Sequence, residues 1–246
     1  MDLKRILILS IIFTVLLDGA EWRLIGEPGV LAKLPDQNCK APQFSPDGEW
    51  LAFSNDNYAG LFVISSTGGA IDEITTDLAA GWRYAWSPDS RKIAARISDS
   101  LTNAKYIAVY DIQKKGKRIL ETKLSRFADF PLWLNSESLI LPEKEASRTI
   151  LLSSNSLEAS TAAWFYNTKI FWRNTLGAVQ AIQLAQKSAI ISLALSPDGE
   201  KVAIVQKNGT LSILWKNENL ISLGEGYAPA WNPAVSYTHL RAHETV

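Results

Sequence analysis

The chain has 246 residues, with 25 Lys and Arg set against 25 Asp and Glu and an apolar fraction of 47%. That much apolar surface excludes intrinsic disorder, and the composition is neither collagen-like nor coiled-coil-like. A balanced charge gives no electrostatic pull toward nucleic acid, and one cysteine and two histidines leave no internal disulfide and little material for histidine catalysis or a histidine-bound metal.

Lys4 and Arg5 precede an uncharged run over residues 6–17, followed by Asp18, Gly19 and Ala20. Basic residues, a short apolar stretch and small residues after it read as a secretory signal peptide over residues 1–20. The run falls short of the roughly 20 apolar residues that span a bilayer as a helix. Asp18 sits where a peptidase ordinarily takes a small residue if cleavage follows Ala20, so cleavage elsewhere, or an uncleaved segment kept as the one membrane anchor, is the alternative. Residues 21–34, with Trp22-Arg23-Leu24-Ile25 and Val30-Leu31-Ala32-Lys33-Leu34, are expected to supply strands that pair with the last repeat and close the fold.

A repeated unit follows. Phe44-Ser45-Pro46-Asp47-Gly48-Glu49-Trp50-Leu51-Ala52-Phe53 recurs as Trp86-Ser87-Pro88-Asp89-Ser90-Arg91-Lys92-Ile93-Ala94-Ala95 and as Leu195-Ser196-Pro197-Asp198-Gly199-Glu200-Lys201-Val202-Ala203-Ile204. Degenerate copies begin at Trp133 and Trp164, and a sixth starts at Trp231-Asn232-Pro233. The markers at 44, 86, 133, 164, 195 and 231 are spaced by 42, 47, 31, 31 and 36 residues, lengths that suit a four-stranded propeller blade. Pro opens the turn, Asp bonds its own backbone two residues on, and Gly takes a positive φ without steric cost. Ser90 in place of that glycine implies strain or a different turn geometry.

The segments after each turn are short and apolar, as strands are. Residues 60–65 and 106–111 read as further strands, residues 178–187 as another, and Asn208-Gly209 as a tight hairpin turn before residues 210–214. Phe44, Trp86, Trp133, Trp164 and Trp231 share one repeat position, where a large ring can fill the wedge between neighbouring blades. The dense group Trp164, Phe165, Tyr166, Phe171 and Trp172 is read mainly as packing, with a surface groove as the other role. Lys114, Lys115, Lys117 and Arg118 read as a solvated hairpin tip, and Cys39 as a partly buried thiol. Residues 234–246 break the pattern, hold both histidines and look like translated sequencing-adapter sequence, so the natural chain is expected to continue past Pro233.

The aromatic-Ser-Pro-Asp-Gly-x-x-apolar-Ala unit, strongest at residues 44–53, 86–95 and 195–204, resembles the WD-repeat-like propeller motif of the TolB-like family. The resemblance covers residues 42–233 and implies an all-β propeller of four-stranded antiparallel blades, five visible and a sixth truncated. It implies an exported, periplasmic or secreted module that binds an envelope protein or peptide. The same turn occurs in the accessory propeller of prolyl-oligopeptidase-like serine peptidases, which is the alternative reading.

Catalysis finds little support in the residues. There is no Gly-x-Ser-x-Gly elbow, and a triad has no base outside the foreign-looking tail. Asp47, Asp89 and Asp198 lie one per turn, which suits turn formation and not a metal site; neither a metal nor another cofactor is expected. Counting back from the markers places Lys40, Trp82, Arg83, Asp129, Phe130 and Tyr227 at the loops that lead into the inner strands. Charge and aromatic surface mixed in this way suit a peptide-binding face.

Overall fold

The computed structural model describes residues 30–35, 38–121, 124–125, 128–152, 161–185, 188–196, 198–216, 219–226, 229–231 and 240–241. The proposed signal segment, residues 21–29, Pro197, Tyr227 and most of the tail lie outside the described residues. All described regular structure is antiparallel β, in successive propeller blades, and the chain divides into two compact units, residues 1–136 and 137–246.

The first unit carries two four-stranded blades. The first runs β1 (Lys40–Phe44), β2 (Trp50–Ser54), β3 (Leu61–Ser65) and β4 (Asp72–Thr75), and the second β5 (Tyr84–Trp86), β6 (Lys92–Ser98), β7 (Lys105–Asp111) and β8 (Gly116–Glu121). The third repeat begins here with β9 (Leu132–Asn135). The second unit opens on the hairpin β10 (Ser138–Glu143) and β11 (Ala146–Leu151). It continues with the three-stranded β12 (Ala162–Tyr166), β13 (Lys169–Arg173) and β14 (Val179–Gln183), then the four-stranded β15 (Ile190–Leu195), β16 (Lys201–Gln206), β17 (Thr210–Trp215) and β18 (Leu220–Glu225). A short ladder joins β19 (Ala230–Trp231) to β20 (Leu240–Arg241), the latter inside the segment read as foreign.

Strand alternation places small and branched residues on both faces, so each central strand is buried on two sides. In the first unit Ala52, Leu61 and Val63 of the first blade meet Tyr84, Trp86, Ile93, Ala95 and Tyr110 of the second. In the second unit Ala163, Ile170, Trp172 and Ile182 meet Ile190, Val202, Ile204 and Leu214. Ala32 and Leu34 pack with Cys39 against Leu51, Phe53 and Ile64, the other face of the first blade.

The recurring turn is held by its serine as much as by its proline. Ser45 Oγ donates to Asp47 Oδ1 at 2.5 Å and accepts the Trp50 N–H at 3.0 Å, while the Ser45 N–H donates to the Trp50 carbonyl at 2.8 Å. Ser87 and Ser196 repeat these bonds with Asp89 and Lys92 and with Asp198 and Lys201. All three serines are buried. Bonds from Ser196 and the Glu200 N–H hold the Asp198 carboxyl below its ordinary range. Ser90 adopts the same left-handed turn (φ 60°) as Gly48 (76°) and Gly199 (71°), so the geometry is unchanged. Its Oγ accepts the Asp47 N–H of the first blade at 3.1 Å, an attachment glycine would lack.

Three tryptophans form a relay between blades. The Trp86 indole N–H donates to the Gln43 carbonyl (3.2 Å), that of Trp133 to Ala85 (2.9 Å) and that of Trp231 to Ala194 (2.8 Å). In each case the acceptor lies just before the marker of the preceding repeat. Two members of the expected set depart from this. Trp164, two residues from the end of β12, donates instead to the Lys144 carbonyl in the β10–β11 turn of the preceding repeat. Phe44 is 43% exposed. The markers pack toward the preceding repeat, and Phe44 shares its face with Leu51, against which, among the described residues, the segment carrying Ala32 and Leu34 packs. Trp164, Phe171 and Trp172 are buried and belong to the packing, while Phe165 and Tyr166 are half-buried. The basic run is not merely solvated either: Lys115 pairs with Asp72 at 2.8 Å and Lys117 with Asp77 at 2.6 Å, tying the β7–β8 turn and β8 to the preceding blade.

Candidate functional site

The loop ahead of β5 is fixed from below. Gly81 sits so close to Ser54 that an added Cβ would lie 1.8 Å from Ser54 Oγ, so only glycine fits. The Gly81 N–H donates to the Tyr58 carbonyl and the Trp82 N–H to that of Ala79. The β5 strand is then pinned by Tyr84, whose buried hydroxyl lies 2.5 Å from the Ala41 carbonyl and 2.8 Å from that of Ala52. Burial pushes the Tyr84 phenol well above its usual range, so it stays a neutral donor.

Arg83 emerges at the end of this loop. It directly precedes Tyr84, whose ladder partner Ala95 directly precedes Arg96 in β6. The loop ahead of β9 brings Phe130 to both: the guanidinium carbons of Arg83 and Arg96 lie 4.8 and 4.3 Å from the ring centroid. Arg96 Nη1 donates to the Ala128 carbonyl at 2.5 Å, and Asp129 Oδ1 lies 3.9 Å from Arg83 Nη1 and accepts the Phe130 N–H. Burial lowers the Arg96 pKa and the Arg83 charge lowers it further, against the raising effect of Asp129, though the guanidinium remains charged at any ordinary pH. Arg83 and Asp129 keep 46% and 39% of their side-chain surface open, so a ligand can reach them.

Of the residues picked from the sequence, Arg83, Asp129 and Phe130 are thus brought together. Trp82 is 53% exposed and packs edge-on against Tyr58, centroids 4.7 Å apart. Lys40 lies across from Ser54 in the first blade, where its charge adds to the Asn38 hydrogen bonds that hold Asp56 low. Tyr227 lies outside the described residues. Arg96 was missed. Its signal was a lone charge inside the apolar strand of the second repeat, nine residues after Ser87, where the first repeat has Ser54 nine after Ser45. Among the described residues no group of three or more His, Cys, Asp or Glu is arranged to hold a metal.

No protein-family model and no curated protein matches the chain. Solved structures do match in fold. The chain is similar to TolB from Acinetobacter baumannii (16% identity, TM-score 0.54, covering 86% of this chain and 50% of that one). It is also similar to the tricorn protease (13%, 0.54, 76% and 26%) and to the C-terminal WD40 domain of Sif2 (12%, 0.51, 83% and 66%). These likenesses show the β-propeller fold, and the chain spans half the length of the TolB structure and about a quarter of the tricorn protease.

Proposed function

We propose that this protein is an exported propeller that binds an envelope protein or peptide and performs no chemistry of its own. The observation that carries the reading is the Arg83, Arg96, Phe130 and Asp129 group, a charged and aromatic surface built on two adjacent inner-strand loops. Aromatic and arginine side chains supported by a rigid sheet are the usual anchors of protein recognition. The likeness to TolB and the signal-like residues 1–20 support an extracytoplasmic setting.

Two expected results follow. In affinity capture from a bacterial envelope extract, Arg83→Glu lowers recovery of the bound partner by about tenfold, the loss typical of one recognition anchor; unchanged recovery removes this face from consideration. Alkaline phosphatase fused after residue 34 is active in intact cells, since that enzyme matures only outside the reducing cytoplasm; an inactive fusion present at full level contradicts export. The likeness to the tricorn protease favours a second reading, an accessory propeller of a secreted serine peptidase. A Gly-x-Ser-x-Gly segment in the gene past Pro233 would decide for it.

A further inference from the structure

The binding reading does not say what chemistry the site grips. Arg83 and Arg96 converge on one phenylalanine ring, a meeting of like charges that works against folding. Phe130 contacts both guanidiniums, and Asp129, 3.9 Å from Arg83, supplies one negative charge against their two. A local rule broken in this way, without full compensation, marks a site retained for another purpose. The donors point the same way. Each guanidinium carries five N–H groups; the Ala128 carbonyl engages Arg96 at Nη1, and Asp129 lies at salt-bridge distance from Arg83 Nη1.

We infer that this site binds a carboxylate of a peptide ligand, an inference that rests on the binding reading above. Arg83, partly exposed, presents its planar fork to the two carboxylate oxygens. Arg96, anchored by Ala128 and less hydrated, supplies the second positive charge from beneath, and Phe130 offers a flat apolar support for the carbon chain that bears the carboxylate. Asp129 keeps Arg83 near the opening when no ligand is bound, and its single charge leaves the site net positive.

The test uses the full chain and three probes: an acetylated, amidated hexapeptide of alternating glycine and glutamate, its glutamine isostere, and that isostere with a free C-terminus. Titration calorimetry at low salt is expected to give the glutamate peptide about tenfold tighter binding than the isostere, the difference of roughly one charge-assisted contact. Arg83→Gln should erase that preference while leaving the melting temperature unchanged or slightly raised, since it relieves the like-charge meeting with Arg96. Arg83→Lys should restore part of it, keeping the charge without the fork. A preference shown only by the free C-terminus assigns the carboxylate to a chain end instead of a side chain. Equal binding of all three peptides overturns the carboxylate inference and leaves the binding reading intact. A preference that survives Arg83→Gln overturns it too, as does binding of none, in which case the envelope capture decides the broader reading separately.

Discussion

Trp86→Ala is expected to lower the unfolding free energy by about 3–5 kcal/mol, the cost of emptying a buried indole site. Trp86 is 8% exposed and sits among Ala52, Leu61 and Val63 of one blade and Ile93, Ala95 and Tyr110 of the next. Its removal opens a cavity between two sheets that have little freedom to collapse, since each is held by its own ladder. Trp86→Phe keeps most of the ring and loses the bond to the Gln43 carbonyl, so about 1 kcal/mol is expected for it. Phe44→Ala occupies the same repeat position, yet it should cost no more than about 1 kcal/mol, because a ring 43% exposed has less transfer energy to lose. Urea unfolding followed by circular dichroism checks all three; equal losses at positions 44 and 86 would show that the indole wedge does not hold the blades.

Asp77→Ala is expected to cost about 2–3 kcal/mol through the hydrogen bonds it strands. Asp77 Oδ2 accepts the Tyr110 hydroxyl at 2.6 Å and the Thr75 hydroxyl at 2.8 Å, and the carboxylate pairs with Lys117. Tyr110 is 1% exposed, so its hydroxyl has no water to turn to once the acceptor is gone. Lys117 is 38% exposed and adds little by itself. Tyr110→Phe in the Asp77→Ala background should therefore recover about 1 kcal/mol, since replacing both partners is cheaper than orphaning one.

The same residue sets an acid dependence. Burial raises the Asp77 carboxyl, but the hydrogen bonds from Lys117, Tyr110 and Thr75 lower it by more, so it titrates below its ordinary value. A depressed folded pKa adds stability that is complete above the unfolded value, about 3.9, and is lost as pH falls through the folded one. The stability gap between the natural protein and Asp77→Asn should then narrow from pH 5 toward pH 2. A gap that stays constant would remove the carboxylate from the acid response.

How much of this was legible beforehand differs by residue. The Ser-Pro-Asp-Gly turns and the Asn208-Gly209 hairpin could be read because turn chemistry is local: a few adjacent residues decide φ and the bonds that hold it. The serine's part was less visible, since its hydroxyl works across the turn to a residue five positions on. Ser90 was the ambiguous case. Its positive φ is a local cost, and the Asp47 N–H that engages its hydroxyl lies 43 residues away. Asp77 was not singled out at all, because its partners Tyr110 and Lys117 belong to the next blade. Arg83, Asp129 and Phe130 were picked by counting along the repeat, which locates a loop but not what stands opposite it.

The repeat by itself determined that this chain builds small antiparallel sheets with bulky rings at a recurring edge. Turn propensity and strand alternation are properties of neighbouring residues, and they survive in any context that buries one face. Which rings are covered, which lysines are paired and which arginines meet around Phe130 were decided only when separate blades came into register. Those contacts join residues from about 30 to nearly 50 positions apart, and their energies depend on distance and burial, quantities that do not exist until the sheets are packed.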